Sequence, residues 1–340
     1  MEQLKSNCKK RFIKGILGKK GRRVSVGNVV SIATTDLMDI CGASFPDVHC
    51  DSNAMTDLAA AGHLICGFDS VMPIFSVVQE AAALGCEIDW GSKNTMPTVR
   101  SHPFAVNNSF EFNLDWQNQK PITSVLDSIS QLRSNLGADA AIVGKVMGPW
   151  TLSYHLMGTE EFLINTAADV EIAIKSLDVL KDITLEFAKM QIRAGADVIC
   201  LADHATGGMV SPQNYSKLLQ PIHQYLCSQI GVPIVLHCCG DTSDRVHLFA
   251  ESGFDCFHFE SHVNLTKAKE LVKGKISLMG NINNPEILLS STSDIVYQKC
   301  VEAISNGVDV LSPECAVPLA TPIENLKSMV SAAEDFAKAD

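Results

Sequence analysis
The chain has 340 residues, 46% of them apolar and 19% charged, which excludes a disordered or fibrous protein and leaves ample material for a large core. The formal net charge of −11 argues against nonspecific binding to nucleic acid. That charge is uneven: residues 1–23 hold nine Lys/Arg against one acid, Glu2, a net of +8, so the remainder carries −19.

The basic start comprises Lys5, Lys9, Lys10, Arg11, Lys14, Lys19, Lys20, Arg22 and Arg23. Within it, Arg11 to Leu17 has the period of a short amphipathic helix packed on the body of the protein. The other reading is a surface that docks an acidic partner. It lacks the apolar core of a secretory signal, and no uncharged apolar stretch reaches the roughly 18 residues of a membrane span. The expectation is a cytoplasmic protein with no membrane and no nucleic-acid partner. The twelve cysteines follow no disulfide-scaffold spacing, as fits a reducing compartment, and Cys200 and Cys256 read as small buried hydrophobes.

Further along, Asn28–Thr34 and Phe68–Met72 read as strands, while the Cys86–Trp90 segment and the stretch 92–120, with several Asn and Pro, read as an excursion. From about residue 138, β-type runs alternate with longer helical ones. The strands are Ala140–Met147, Asp197–Ala202, Pro233–Leu236, Phe254–Phe259, Ile276–Met279 and Val308–Leu311. Ser211-Pro212 is a helix start, and Gly195, Gly231, Gly253 and Gly307 sit where helix C-caps would precede strands. Six successive strand–helix units imply a parallel sheet with right-handed crossovers. With the two N-terminal strands the count favours a (β/α)8 TIM barrel, one domain over 1–340 with an N-terminal helical extension at 1–23. No G-x-G-x-x-G follows the first strand and no Walker A sequence is present.

Barrel chemistry sits where strands end. The strand Pro233–Leu236 runs into His237-Cys238-Cys239-Gly240, the next ends at Glu260-Ser261-His262, the one after at Gly280-Asn281-Ile282, and the last in Pro313-Glu314-Cys315. Alternation along a strand lets His237 and Cys239 converge on one ion while Cys238 points away, and Cys315 on the same rim can supply a third ligand. One nitrogen and two sulfurs suit Zn2+ with a position left open. By position alone the alternative stands, in which His237 is a satisfied strand-end histidine and the cysteines fill core.

His237-Cys238-Cys239-Gly240 together with the run Cys315-Ala316-Val317-Pro318-Leu319-Ala320-Thr321-Pro322-Ile323-Glu324-Asn325-Leu326 resembles the uroporphyrinogen decarboxylase superfamily. It is most similar to the branch of methylcobamide:coenzyme M methyltransferases of methanogens, and the likeness extends to Met147-Gly148-Pro149, Gly280-Asn281-Ile282 and Ser31-Ile32-Ala33-Thr34-Thr35. The resemblance implies a zinc site at His237, Cys239 and Cys315. It also implies a methylated corrinoid on a partner protein as methyl donor and coenzyme M as the thiol acceptor. Glu260 is the candidate for a replaceable fourth ligand, the alternative being a rim carboxylate or a helix N-cap neighbour. Lys145 and Asn281 are the strand-borne donors for the sulfonate of coenzyme M. Asp203, His204 and His262 read as supporting residues rather than ligands.

Two competing functions are a uroporphyrinogen decarboxylase-like enzyme and a corrinoid-protein binding partner without turnover. The first needs an arginine-bearing opening segment to hold porphyrin carboxylates, and the first strand carries Ser, Thr and Asp instead. The second has no need of the three ligands. One departure stands out: the resembled family often has Pro-Gly-Cys at the last ligand, where this chain has Pro313-Glu314-Cys315, and Glu314 reads as a solvated rim charge, the alternative being a carboxylate that alters thiol preference.

Overall fold
The structure is a computed structural model and describes residues 8–105 and 110–339, so Glu2 and Lys5 of the basic start lie outside the described residues. Eight parallel strands form the barrel: β1 Ser25–Val26, β2 Ser70–Val71, β3 Ala141–Met147, β4 Val198–Ala202, β5 Ile234–His237, β6 Cys256–His258, β7 Ser277–Ile282 and β8 Val310–Pro313. They are hydrogen-bonded in the order β1-β8-β7-β6-β5-β4-β3-β2. The remaining seam, between β1 and β2, is held by fewer bonds. Asp69 N–H donates to the Val26 carbonyl at 2.7 Å, Val26 N–H donates to the Asp69 carboxylate at 3.1 Å, and Ser70 Oγ accepts from Asn28 N–H at 3.1 Å. A (β/α)8 TIM barrel is therefore the fold, as the strand–helix alternation predicts.

Helices cover the barrel, and their apolar faces explain where they form. In Lys120–Leu136, Ile122, Val125, Ile129 and Leu132 are buried at helical spacing, and Pro121 in the first turn has no N–H to leave unbonded. Ser211 caps the helical run that leads into Gln220–Gln229, its hydroxyl accepting from Asn214 N–H at 3.1 Å. Gly195, Gly253 and Gly307 take positive φ at helix ends, whereas Gly231 does not, because its helix ends through the extended Ile230. No described helix is long and apolar enough to cross a membrane.

The basic start contains helix α1, Cys8–Ile16, which underlies the N-terminal end of the barrel with Phe12 and Ile16 fully buried. Arg11 donates to both oxygens of the buried Asp69 at 2.5 and 2.8 Å, and Arg23 reaches the same carboxylate at 3.2 Å. Gly27 is required by this packing, since a Cβ there would overlap the Phe12 ring.

One expected strand is misplaced. The Asn28–Thr34 run is buried but unpaired, and the strand precedes it at Ser25–Val26. The reason is local: the Asn28 carboxamide caps its own segment, accepting from Val30 N–H at 3.0 Å, and Thr34 then caps the helix Thr35–Cys41. The excursion contains a two-stranded antiparallel ladder of Ile88–Asp89 with Thr98–Val99 and short turns at Pro103–Ala105 and Trp116–Asn118.

Candidate metal and methyl-transfer site
His237 is the last residue of β5, Cys239 follows two residues on, and Cys315 lies two residues beyond β8. All three stand at C-terminal strand ends, where parallel strands stop pairing and side chains turn over the barrel mouth. Cys239 Sγ is 2.8 Å from His237 Nε2 and 2.8 Å from Cys315 Sγ, and Cys315 Sγ is 3.6 Å from His237 Nε2. Among the described residues these three form the cluster of possible metal donors, their ligand atoms within 4.8 Å of one another. The set fits a borderline-soft ion: Nε2 and both sulfurs converge, while Nδ1 of His237 is buried and has no partner among the described residues. Cys315 is held well below the ordinary thiol range, chiefly by the hydrogen bond with Cys239 and then by His237, while the same contact pushes Cys239 up. One thiolate forms readily in this pair, and a second is opposed by the first. Cys238 is buried and turned away, its thiol pushed up by burial.

The surrounding carboxylates behave differently. Glu260 lies outside the three-donor cluster, and its carboxylate accepts a hydrogen bond from the exposed His262 Nδ1 at 2.8 Å. Its charge is nevertheless near enough to help push the Cys239 thiol up. Glu314 is not a solvated rim charge. It is 6% exposed and accepts from Ser261 N–H and Asn284 N–H, each at 2.8 Å. The loops after β6 and β7 carry backbone N–H groups with no strand partner there, and this carboxylate satisfies one from each. It thereby joins three strand ends beside Cys315.

Asp203 is buried and accepts from Thr151 N–H at 2.8 Å, Thr151 Oγ1 at 3.0 Å and His223 Nε2 at 3.0 Å. It anchors the start of the helix Pro149–Met157, and Gly148 must lack a side chain because a Cβ would collide with its carboxylate. His204 is half-buried, its imidazole pushed down by burial and then by His237. Asn281, on β7, donates to the Val263 carbonyl at 3.3 Å. Lys145 pairs in register with Cys200, which pairs with Val235, two residues below His237. That register puts the lysine side chain inside the barrel one layer beneath the sulfurs. It is 3% exposed, and burial pushes its ammonium down while Cys200, Glu80, Cys315 and Cys239 favour its charge. No hydrogen bond or ion pair engages its ammonium among the described residues.

The sequence reading misses three supporting residues. His258 pairs in register with His237, their rings 4.7 Å apart, and its Nε2–H donates to the Pro313 carbonyl at 2.8 Å. Asn28 donates to the Cys315 carbonyl at 3.1 Å, and Asn284 donates to the Ala316 carbonyl at 2.7 Å. His258 had a visible signal, its matching place at the next strand end. The two asparagines act on backbone far away in sequence and had none.

The uroporphyrinogen decarboxylase (URO-D) family model matches residues 7–336. Methylated-thiol–coenzyme M methyltransferase of Methanosarcina mazei is 31% identical over 327 residues, 96% of this chain and 89% of that protein. Methylcobamide:CoM methyltransferase MtaA of Methanosarcina barkeri is 29% identical over 331 residues, 96% of this chain and 98% of that protein. A solved methyltransferase structure from Methanosarcina mazei superposes with a TM-score of 0.94 at 30% identity, covering 97% of this chain and 98% of the other. The chain belongs to the uroporphyrinogen decarboxylase (URO-D) family and, within it, to the branch of methylcobamide:coenzyme M methyltransferases: it is a methyltransferase enzyme.

Proposed function
We propose that this enzyme is a zinc-dependent, cytoplasmic methyltransferase. It moves a methyl group from a methylated corrinoid, carried on a small corrinoid protein, to the thiol of coenzyme M in methanogenesis from methylated C1 compounds. The observation that carries the reading is the convergence of His237, Cys239 and Cys315 on one point of the barrel mouth. These three residues would hold the ion through Nε2 and two sulfurs. When bound, zinc supplies a Lewis acid that makes a substrate thiol a thiolate near neutral pH.

The chain's own residues do the rest. His258 braces the His237 ring from one side and ties down the end of β8, so that imidazole and Cys315 keep their spacing. Glu260 would serve as a replaceable fourth donor to the ion, and its carboxylate as the acceptor for the thiol proton. Lys145 offers a desolvated cation beneath the sulfurs, and Asn281 an amide at the neighbouring strand end, for the sulfonate of coenzyme M. A buried ammonium with no fixed partner is costly on its own, and an anionic substrate group would repay that cost. The thiol sulfur takes the methyl group with its own electron pair, the pair of the broken methyl–cobalt bond stays with the departing corrinoid substrate, and the thiol proton passes to Glu260, so the product sulfur is a neutral thioether and the product dissociates.

The test is metal content of the purified protein followed by demethylation of methylcobalamin with coenzyme M. About one zinc per chain is expected, with loss of both metal and transfer in Cys239→Ala and in Cys315→Ala. Stoichiometric zinc retained by Cys315→Ala, or full transfer by metal-free protein, overturns the reading.

A further inference from the structure
At the end of the barrel opposite the cysteines, α1, the segment that follows it and the C-terminal helix Ile323–Ala339 enclose a cavity of about 990 Å3. Eight Lys/Arg line it, against two acids, Asp309 and Glu334. Half of those cations are committed. Arg11 and Arg23 are bound by Asp69, Lys338 pairs with Asp335 at 2.9 Å, and Lys269 donates to the Gly307 carbonyl. The other four, Lys14, Lys19, Lys20 and Arg22, are exposed and form no ion pair or side-chain hydrogen bond among the described residues. Arg23 adds a buried Nε without a partner at the cavity wall.

The apolar part of the lining is the half-buried ring of Phe336, with Ile304 and Val308 almost fully buried. The cavity therefore offers two chemistries: uncommitted positive charge, and one partly exposed ring against which a flat group can lie. Its volume is that of a small-molecule site rather than of a macromolecular face, for which about 300–1,000 Å3 is usual. The rest of the chain, at −19, repels a long polyanion and confines attraction to this spot.

We propose that this cavity binds a nucleoside polyphosphate, its phosphates held by Lys14, Lys19, Lys20 and Arg22 and its base against the half-buried ring of Phe336. Lysine and arginine are the residues that hold phosphate oxygens by charge-assisted hydrogen bonds. The ligand bridges α1, the loop after it and the C-terminal helix, and so braces the floor on which β1 and β8 begin. The proposal is independent of the metal reading, because no residue is shared with the mouth of the barrel.

The experiment is calorimetric titration of the full-length protein with ATP, AMP and inorganic triphosphate. It is run on the wild type, on Lys19→Ala/Lys20→Ala/Arg22→Ala and on Phe336→Ala, with the unliganded melting temperature confirming that each variant is folded. Expected is saturable one-to-one binding of ATP, weakened about tenfold or more in the triple variant and likewise for AMP, since each loses charge-assisted contacts. Phe336→Ala should weaken ATP while leaving inorganic triphosphate unchanged. No saturable ATP binding, a triple variant that binds like the wild type, or inorganic triphosphate binding as tightly as ATP would each overturn the proposal.

Discussion

Glu260 and Glu314 follow β6 and β8, which flank β7 on one rim, yet their surroundings give them opposite work. Glu260 keeps a single hydrogen bond, from a solvent-exposed histidine, and is free to change partner. Replacing it with glutamine leaves His237, Cys239 and Cys315 in place, so zinc should remain bound, and coenzyme M affinity should hold or rise. What should change is the proton balance: a displaced carboxylate can take up the proton the thiol loses, whereas an amide sends it to solvent. Calorimetry of coenzyme M binding in buffers of different ionisation enthalpy measures this directly. Equal proton release from wild type and Glu260→Gln would return Glu260 to a plain rim carboxylate.

At the scale of elements, Glu314 acts as a staple between the loops after β6 and β7 at the foot of the Cys315 segment. Removing it in Glu314→Ala strands two N–H groups, at a cost on the order of 3 kcal/mol. Because the same carboxylate sets where Cys315 sits, zinc affinity should fall along with the denaturation midpoint. A variant that loses stability but keeps wild-type zinc affinity would separate the staple from the site. The helix Pro149–Met157 shows the same economy of design, its start fixed on Asp203 and its approach permitted only by Gly148.

For the whole molecule, the β1–β2 seam and the interior ionisable groups decide stability. Asp69 neutralises Arg11 and Arg23 and bonds across the seam, so Asp69→Asn leaves two guanidinium groups facing an amide. A loss of about 3–5 kcal/mol in chemical denaturation is expected, as for any buried pair deprived of one partner. Glu80 is buried beside β3, accepting from Met147 N–H at 2.8 Å, and burial raises its carboxyl from 4.5 to about 7. A carboxyl with a raised folded pKa binds more protons folded than unfolded, so its contribution to stability falls as pH rises from 4.5 to about 7. His49 and His155, pushed down by burial to about 4, act in the opposite sense, losing stability as pH falls below 6.5. The comparison that isolates Glu80 is therefore wild type against Glu80→Gln. The variant should gain relative stability steadily from pH 4.5 to 7, and a pH-independent difference between the two would show that Glu80 titrates normally.

Much of this architecture was readable before folding. Strand–helix alternation reports which segments are buried on both faces and which on one, and that is enough to demand a parallel barrel. The rule that chemistry gathers at strand ends picks out His237, Cys239 and Cys315, which do converge, and i and i+2 alternation puts the first two on one face; Glu260, chosen by the same rule, lies outside that cluster. Glu314 was misread for the complementary reason. A carboxylate looks solvated in sequence, and only the fold shows two unpaired N–H groups arriving from residues 261 and 284. The first strand was misplaced because Asn28–Thr34 is as apolar as a strand but spends its backbone bonds on local caps. Asn28 and Asn284 holding the carbonyls around Cys315, Arg11 buried on Asp69 and the basic cavity beneath the barrel all join residues distant in the chain. Periodicity carries which face of an element is apolar. Which polar group meets which across the barrel is decided by tertiary packing, where each buried donor must find the one acceptor within about 3 Å.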